Sequence, residues 1–175
     1  TILYGSELKY LIKGVTGSGK TEIYMRIAEE MLKEGKSVIV LVPEISLTPQ
    51  MIERFKGRFG RDVALFHSKL SQGERFDEWY RVKEGKARLV IGARSALFLP
   101  LQNLGAIIID EEHENTYKSE HNPKYHAREV GEFLSEMKNC KLILGSATPS
   151  IESYYRAING DYKLVEMNNR VDRKH

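Results

Sequence analysis

Short apolar segments alternate with amphipathic ones along this chain. Six segments rich in Ile, Val and Leu predict β-strands, at Lys9 to Lys13, Ser37 to Val42, Asp62 to His67, Arg88 to Ile91, Ala106 to Asp110 and Lys141 to Gly145. Between them apolar residues recur at helical spacing, as in Ile23, Ile27 and Met31, in Ile52, Phe55 and Phe59, and in Val130, Leu134 and Met137. This alternation predicts an α/β fold, a mostly parallel sheet with helices on both faces. Ligands then bind at the carboxyl ends of the strands.

Local signals also place helix ends. Thr48 followed by Pro49 predicts a helix start, with the threonine as N-cap and the proline as first helical residue. Ser150 before Ile151 is a second N-cap candidate. Gly35 predicts the end of the helix that contains Met31.

A glycine-rich segment follows the first predicted strand and fits the phosphate-loop pattern G-x-x-x-x-G-K-[ST]. Glycine lets the backbone wrap around phosphates with its N–H groups pointing inward, and the next helix presents its positive end to the anion. We predict that the ATP-binding residues are Gly14, Thr16, Gly17, Ser18, Gly19, Lys20 and Thr21. In this pattern Lys20 reaches the terminal phosphates and the Thr21 hydroxyl is a Mg²⁺ ligand. The alternative is a glycine-rich turn between strand and helix that binds nothing.

An acidic segment follows the apolar run Ile107 to Ile109 and supplies the second half of the predicted chemistry. Asp110 at the strand tip is placed to hold Mg²⁺ together with Thr21, and Glu111 to polarise an attacking water. With Lys20, these two carboxylates form the predicted catalytic set. Glu112 and His113 come next and are candidates for sensing the nucleotide. An acidic loop after a strand is otherwise ordinary solvated surface.

The segment Gly145 to Ser150 follows the last predicted strand and carries several hydroxyl groups. If its strand lies beside that of Asp110, Ser146 and Thr148 can hydrogen-bond Glu112 and His113 and relay the state of the phosphates. A helix-capping turn is the alternative, and Ser150 can serve that role at the same time.

Aromatic and basic residues are interleaved between Glu114 and Arg128. Tyrosine rings can stack on bases and cations can pair with phosphates, so we predict nucleic-acid contacts here, at Tyr117, Lys118, Tyr125, His126 and Arg128. The alternative is a surface loop whose tyrosines cover the edge of the core. The histidines of this region match no zinc-binding spacing, so we expect no zinc site.

Composition is consistent with one domain over residues 1–175. The chain is 41% hydrophobic and 29% charged, and its net charge of +3 permits a nucleic-acid partner without arguing for one. Its longest apolar run ends at Pro43, so no membrane span is predicted. We find no secretory signal, and Cys140 is the single cysteine, which suits a reducing cytoplasm.

Several of these motifs occur in an order that resembles superfamily 2 DNA helicases. The segments are GVTGSGKTEIY, VPEISLTPQM, IGARSALFLP, DEEH and GSATPSIES. The runs His67 to Ser71 and Tyr125 to Arg128 are similar to the bacterial primosomal replication-restart helicases in particular. The resemblance covers about Leu11 to Tyr155.

That resemblance implies a RecA-like P-loop NTPase lobe, the first of two, which couples Mg²⁺-ATP hydrolysis to movement on single-stranded or forked DNA. It implies that Pro43, Glu44, Arg94 and Ser95 line the DNA path and that Ser146 to Thr148 couple hydrolysis to strand movement. On residue chemistry alone, Arg94 can pair with a phosphate and Ser95 can donate a hydrogen bond, but both also suit an ordinary loop. Primosome components or single-strand-binding proteins are the implied protein partners.

The second lobe, the zinc-binding region and the N-terminal DNA-binding region of such helicases have no counterpart in these residues. We therefore expect this chain alone to bind nucleotide weakly, to turn over little and not to unwind DNA. Three other hypotheses remain open: a translocase that does not separate strands, a P-loop kinase, and a binding module with a structural nucleotide.

Overall fold

The structure is a computed structural model that describes residues 2–169. Its strands are β1 (Lys9–Gly14), β2 (Ser37–Leu41), β3 (Val63–Phe66), β4 (Leu89–Gly92), β5 (Leu104–Asp110), β6 (Lys141–Ser146) and β7 (Lys163–Met167). The α-helices are α1 (Lys20–Lys33), α2 (Pro49–Phe59), α3 (Gln72–Lys83), α4 (Ala127–Lys138) and α5 (Ile151–Ile158). Short 3₁₀ turns lie at Glu44–Ser46, Gly60–Asp62, Arg94–Phe98 and Asn115–Tyr117. Within residues 2–169, no helix is both long and apolar enough to cross a membrane.

All seven strands form one parallel sheet in the order β3-β4-β2-β5-β6-β1-β7. The predicted α/β fold is therefore confirmed, and each predicted strand differs from the observed one by two residues or fewer at either end. Because every strand runs in the same direction, all carboxyl ends lie along one edge of the sheet. β5 is central in this order, so its tip at Asp110 is flanked by the loops after β2 and β6.

Side chains from each strand enter two separate hydrophobic clusters on the opposite faces of the sheet. In β5, Ile107 and Ile109 belong to one cluster, and Ala106 and Ile108 to the other. Helices α1 and α2 cover the face of Ile108, and α3, α4 and α5 cover the face of Ile107. The near-continuous burial of β2, β5 and β6 is typical of interior parallel strands with helices on both sides.

Strand β7 was not among the six predicted strands. Its sequence is short and contains two charged residues, Lys163 and Glu166, both of which are exposed. The strand pairs with β1 at the edge of the sheet, so that only one side of its backbone is hydrogen-bonded to another strand of the described residues. Two charged residues within five positions interrupt the apolar run that revealed the other six strands. Residues 170–175, which include three basic side chains in the order Arg, Arg and Lys, lie outside the described residues.

Helix α4 buries only part of the predicted face, since Val130 and Leu134 pack against the core but Met137 does not. Met137 is 58% exposed, whereas Gly131 and Ser135 are buried. A Cβ on Gly131 would lie 3.2 Å from a methyl carbon of Leu142, so the helix approaches the sheet where its side chains are smallest. The predicted helix starts are confirmed, since the hydroxyl groups of Thr48 and Ser150 each accept a backbone hydrogen bond at the N-terminus of their helix.

Candidate nucleotide and nucleic-acid site

The glycine-rich loop joins β1 directly to α1, as the phosphate-loop prediction requires. Gly17 and Gly19 have φ angles of 81° and 90°, in the left-handed region that favours glycine. A Cβ on Gly14 would lie 2.6 Å from the Ser18 Oγ and 3.2 Å from the Met167 Cβ. The first glycine is therefore required by close packing, and the other two by backbone conformation.

Two polar side chains of this loop lack an external partner. The buried Lys20 ammonium donates to the backbone oxygens of Gly14, at 2.5 Å, and Val15, at 3.4 Å. The Ser18 hydroxyl is buried and has no hydrogen-bond partner within the described part of the chain. Buried polar groups are normally satisfied, so an orphaned hydroxyl beside an inward-turned ammonium fits a loop built to hold an anion.

Asp110 lies at the tip of β5, beside this loop. Its Oδ1 accepts a hydrogen bond from the Tyr24 hydroxyl at 2.8 Å, and its backbone oxygen accepts one from the Tyr117 hydroxyl. Burial raises the pKa of Asp110, while the Tyr24 hydrogen bond and the Lys20 ammonium oppose that rise. Tyr24 thus holds the partly buried carboxylate, and Tyr117 holds the backbone of the same residue.

Glu111 has a φ angle of 50°, which is uncommon for a residue other than glycine. Burial raises its pKa, as does the neighbouring Asp110 carboxylate, while His113 and the Lys20 ammonium lower it. The phosphate loop follows the carboxyl end of β1 and the two carboxylates follow that of β5, so all three predicted catalytic groups lie along the same edge of the sheet, and the Lys20 ammonium lowers the pKa of both carboxylates. Backbone strain of this kind occurs preferentially at functional sites.

The donor groups suit Mg²⁺. The Thr21 hydroxyl in the first turn of α1 and the Asp110 carboxylate are hard oxygen ligands, and Mg²⁺ in phosphate-binding sites commonly takes one or two protein ligands with phosphate and water completing the shell. The residues present therefore fit a Mg²⁺-nucleotide. We call the carboxyl ends of β1, β5 and β6 the phosphate-loop side of the sheet.

His113 connects the acidic segment to the turn after β6. Its Nδ1 lies 2.6 Å from the Ser146 Oγ, and its Nε2 lies 3.6 Å from Glu111 Oε2. The Ser146 Oγ also accepts a hydrogen bond from the Thr148 backbone nitrogen at 2.9 Å, while Thr148 itself is exposed. A contact chain therefore runs from Glu111 through His113 to Ser146 and the following turn.

Glu112 does not take part in that chain, contrary to the prediction that it pairs with Ser146 or Thr148. Its buried carboxylate accepts hydrogen bonds from the Ser150 nitrogen at 2.7 Å, the Ser150 hydroxyl at 3.0 Å and the Ser153 hydroxyl at 2.9 Å. Glu112 is thus bound to the N-terminus of α5. Its neighbour Glu111 faces the site while Glu112 faces the core.

Two predicted nucleic-acid contacts are wrong in this structure because their side chains are buried. Tyr117 is 1% exposed, so it has no free ring face for a base. Arg128 is also buried, and its Nη1 donates to the hydroxyls of Ser150 and Ser153 and lies 4.0 Å from Glu112. The alternative interpretation, a loop whose tyrosines cover the core edge, describes Tyr117 correctly.

The carboxyl ends of β2, β3 and β4, which we call the β2–β4 side, form an open cleft of about 660 Å³. Its lining includes six of the residues predicted to contact nucleic acid, namely Pro43, Glu44, Arg94, Ser95, Tyr117 and Tyr125, although Tyr117 is almost fully buried. The fold therefore brings together, in one groove, the two segments implied by the resemblance and part of the aromatic and basic segment between Glu114 and Arg128.

Several of these groove residues are already held by other parts of the chain. The Glu44 carboxylate accepts hydrogen bonds from the Ser68 nitrogen at 2.9 Å and hydroxyl at 2.7 Å, and the Ser68 hydroxyl bond is the main cause of its lowered pKa. Arg94 Nη1 donates to the backbone oxygens of Thr116 and Lys118, at 2.7 and 3.0 Å. The Glu44 side chain therefore holds its own loop against Ser68. Because its carboxylate is negatively charged, it repels phosphates and is a poor contact for the DNA backbone.

The remaining predicted contacts lie around Tyr125. The Arg94 guanidinium is 5.9 Å from the centre of its ring, and Phe98, which is 60% exposed, packs edge-on against it at 5.2 Å. Lys118 and Ser95 are exposed, whereas His126 is half-buried and caps α4 by accepting a hydrogen bond from the Arg128 nitrogen. Burial and the Arg128 charge lower the pKa of His126, so its ring favours the neutral form.

The sequence of this chain matches the DEAD/DEAH box helicase family over residues 1–157. The chain belongs to that family. It is 58% identical over 94% of its length to the replication restart protein PriA of Bacillus subtilis, and 50% identical over 95% to that of Chlamydia pneumoniae. The PriA protein of Haemophilus influenzae is 49% identical over 93% of the chain. The chain spans about a fifth of the length of these relatives, 20 to 22%.

Solved helicase structures share the fold of this family member. RecG bound to a three-way DNA junction matches 99% of the chain and 22% of its own length, with a TM-score of 0.69 and 21% identity. The Hef helicase domain of Pyrococcus furiosus matches 94% of the chain and 36% of its own length, with a TM-score of 0.64 and 23% identity. The RecA-like fold predicted from the sequence is thereby confirmed.

The sequence analysis of this helicase lobe missed several residues that surround the site. Tyr24 lies four residues after Lys20, on the same face of α1, and helical periodicity alone could have placed it toward the sheet. Ser153 and Phe98 carried no signal, because each is significant only through a partner distant in sequence, Glu112 and Tyr125 respectively.

Proposed function

We propose that this chain is the ATP-binding and ATP-hydrolysing lobe of an ATP-dependent DNA helicase that acts in replication restart. In this proposal residues 1–175 form the first of two RecA-like lobes, and a second lobe of the full-length protein completes the ATP cleft. Hydrolysis of Mg²⁺-ATP drives movement along single-stranded DNA. The observation that supports this best is the contact chain from Glu111 through His113 to Ser146, beside the phosphate loop.

The phosphate loop supports nucleotide binding through its own groups. Lys20 can exchange its bonds to the Gly14 and Val15 oxygens for bonds to phosphate oxygens, and the Ser18 hydroxyl is available as a further donor. Thr16, Gly17 and Gly19 complete the predicted loop around the phosphates. These groups lie at the N-terminus of α1, where the helix dipole favours negative charge.

Thr21 and Asp110 would hold the metal ion, which when bound supplies charge neutralisation for the transferred phosphoryl group. Glu111 would orient the attacking water and accept its proton. The raised pKa of Glu111, caused by burial and by Asp110, shifts it in the direction that general-base catalysis favours. The left-handed backbone at Glu111 turns its side chain away from that of Glu112, which is bound in the core.

The coupling proposal follows the same contacts. A change at Glu111 can pass to His113 and Ser146, and from Ser146 to the Thr148 backbone. Glu112 fixes the same acidic segment to α5 by a separate route. On the β2–β4 side, the proposed DNA contacts are Pro43, Arg94, Ser95 and Tyr125, which line the open groove, and the exposed Lys118 in the loop that follows the acidic segment.

The biological setting comes from the relatives. Their name, replication restart protein, is the basis for proposing single-stranded or forked DNA as substrate and primosome or single-strand-binding proteins as partners. A cytoplasmic location follows from such a role. Because the chain spans only about a fifth of those relatives, we propose these properties for the full-length protein rather than for this lobe alone.

Replacing Glu111 by Gln in the full-length protein tests the proposal. We expect ATP hydrolysis to fall by about 10² to 10⁴-fold, because general-base catalysis contributes on that order. Nucleotide affinity should change little, and unwinding of a forked substrate should be lost. Glu120→Gln is the matched control, because Glu120 is an exposed glutamate of the loop that follows.

The other hypotheses predict different results in the same experiment. Transfer of label from ATP to a small molecule, rather than release as phosphate, would indicate a kinase. Unchanged DNA transactions in Glu111→Gln would indicate a binding module. Loss of movement on single strands, in a protein that never separated duplexes, would indicate a translocase. Hydrolysis at the control rate in Glu111→Gln would contradict the assignment of Glu111 as the base.

A further inference from the structure

Tyr24 is a buried tyrosine of α1 whose hydroxyl points at the proposed metal ligand. Its side chain is 1% exposed, and the hydroxyl donates to Asp110 Oδ1 at 2.8 Å. Tyr24 follows Lys20 by four residues and Thr21 by three, so all three lie on one face of the same helix. A single rigid element thus carries a phosphate ligand, a metal ligand and the group that holds the second metal ligand.

The neighbouring strand β6 leaves space for this hydroxyl group. Gly145 in β6 pairs with Asp110 in β5, and a Cβ on Gly145 would lie 1.7 Å from the Tyr24 hydroxyl oxygen. No side chain other than hydrogen fits there without displacing the tyrosine. Glycine is therefore required at position 145 because any larger residue would block the Tyr24 hydroxyl from reaching the Asp110 carboxylate.

Asp110 is fixed from both faces of the sheet. Tyr24 belongs to the hydrophobic cluster on the α1 face, and Tyr117, which donates to the Asp110 backbone oxygen, belongs to the cluster on the other face. A carboxylate has two oxygens, and a hydrogen bond to Oδ1 orients Oδ2 and leaves it free. Hydrogen bonds of this kind to metal-binding carboxylates orient the ligand and strengthen metal binding.

We infer that Tyr24 is a positioning residue for the metal ion: its hydroxyl holds Oδ1 of Asp110 so that Oδ2 is presented beside Thr21, and Gly145 is present to make room for that hydroxyl. This inference rests on the proposed function, because it assigns Asp110 as a Mg²⁺ ligand. Tyr24 itself contacts neither nucleotide nor metal. It acts through Asp110.

The test compares Tyr24→Phe with Tyr10→Phe in the full-length protein. Tyr10 is the matched control, since it is equally buried but its hydroxyl has no hydrogen-bond partner within residues 2–169. The first readout is Mn²⁺ binding in the presence of a non-hydrolysable ATP analogue, followed by electron paramagnetic resonance. We expect Tyr24→Phe to weaken Mn²⁺ binding by about 10-fold, in the range typical for loss of such a hydrogen bond.

A second readout separates positioning from general damage. Nucleotide affinity measured without divalent metal should stay within about twofold of the control, because Tyr24 acts only through the metal ligand. In steady-state hydrolysis, the Mg²⁺ concentration needed for half-maximal rate should rise by about the same 10-fold. A role limited to packing would instead lower thermal stability and leave the Mg²⁺ requirement unchanged.

Gly145→Ala supplies an independent variant. Its added methyl group should displace the Tyr24 hydroxyl and weaken Mn²⁺ binding in the wild-type background, but should have a smaller further effect when combined with Tyr24→Phe. Equal Mn²⁺ affinity in Tyr24→Phe and Tyr10→Phe would overturn the inference, as would full additivity of Gly145→Ala and Tyr24→Phe.

The outcomes also separate this inference from the proposed function. If Glu111→Gln abolishes hydrolysis while Tyr24→Phe behaves like Tyr10→Phe, the function stands and the inference fails. If the wild-type protein binds Mn²⁺ with nucleotide and Tyr24→Phe weakens it, but Glu111 is dispensable, the inference stands and the hydrolytic function fails. Absence of Mn²⁺ binding by the wild-type protein would overturn both.

Discussion

The two sides of the carboxyl edge differ in how their polar groups are used. On the phosphate-loop side, Lys20 is bonded only to carbonyl oxygens of its own loop, and the Ser18 hydroxyl has no partner in the described residues. On the β2–β4 side, Glu44 is bonded to Ser68 and Arg94 to the backbone after Glu114. A ligand on the first side meets available groups, whereas one on the second competes with contacts within the protein.

This difference suggests two ways of preparing a binding site. The phosphate loop is set by backbone geometry and close packing, with Gly14, Gly17 and Gly19 each required in place. The groove around Tyr125 is formed by side chains that already satisfy one another. Binding there would release Arg94 from the oxygens of Thr116 and Lys118, which lie in the loop that follows the acidic segment. The β2–β4 side is thus suited to passing the effect of a bound ligand on to that loop, and the phosphate-loop side to holding a ligand.

The largest expected effect is on the phosphate-loop side. Replacing Lys20 by Ala should weaken nucleotide binding on the order of 100-fold, because charge-assisted hydrogen bonds to phosphate are lost. Lys13→Ala is the control, since Lys13 lies in β1 just before the phosphate loop but contacts Glu166 and the ring of Tyr154 instead. Titration with a fluorescent ATP analogue measures the effect. A change of less than about threefold would remove the contrast between the two sides.

A smaller effect is expected at Arg128, where the structure shows a buried side chain in place of the predicted nucleic-acid contact. Arg128→Ala should lower the free energy of unfolding by about 2 kcal/mol, because it leaves the buried Glu112 charge without its basic neighbour. The affinity of the folded protein for single-stranded DNA should not change. Lys118→Ala, at an exposed position of the preceding loop, should weaken binding to single-stranded DNA and leave the free energy of unfolding unchanged. Chemical denaturation and DNA titration test both, and a DNA defect in stable Arg128→Ala would restore Arg128 as a contact.

The smallest effect should appear in the groove. Arg94→Ala should weaken single-stranded DNA binding by about three- to tenfold and lower the slope of log affinity against log salt by about 1, as expected for one lost phosphate contact. Arg61→Ala is the control, since Arg61 is an exposed arginine before β3, at the opposite edge of the sheet. Fluorescence anisotropy at several salt concentrations measures both quantities. An unchanged salt slope would mean that Arg94 serves only the loop it bonds.

The sheet and the phosphate loop could be predicted because their signals are local. An apolar run between turn residues predicts a buried strand, and the spacing of Gly14, Gly19 and Lys20 follows from the geometry of one turn. Asp110 and Glu111 followed from their position at the end of such a strand. These predictions needed no knowledge of distant partners.

The direction of side chains in the loop from Glu114 to Arg128 could not be predicted in the same way. Tyr117 and Arg128 have the residue types of a nucleic-acid contact, yet their partners are Asp110, Glu112 and Ser153, which the sequence does not mark as neighbours. Composition indicates what a residue can bind. Composition does not indicate whether that residue's side chain is already buried and hydrogen-bonded within the protein.

Strand β7 has a practical meaning for any shortened form of this lobe. The family match ends at residue 157, so a boundary drawn there would remove Lys163–Met167. β1 would then become an edge strand with a row of open backbone groups, which invites pairing between molecules. The Met167 side chain would also leave its place against Gly14, at the base of the phosphate loop. Keeping this modest, half-exposed strand therefore protects both the solubility of the lobe and the shape of its nucleotide pocket.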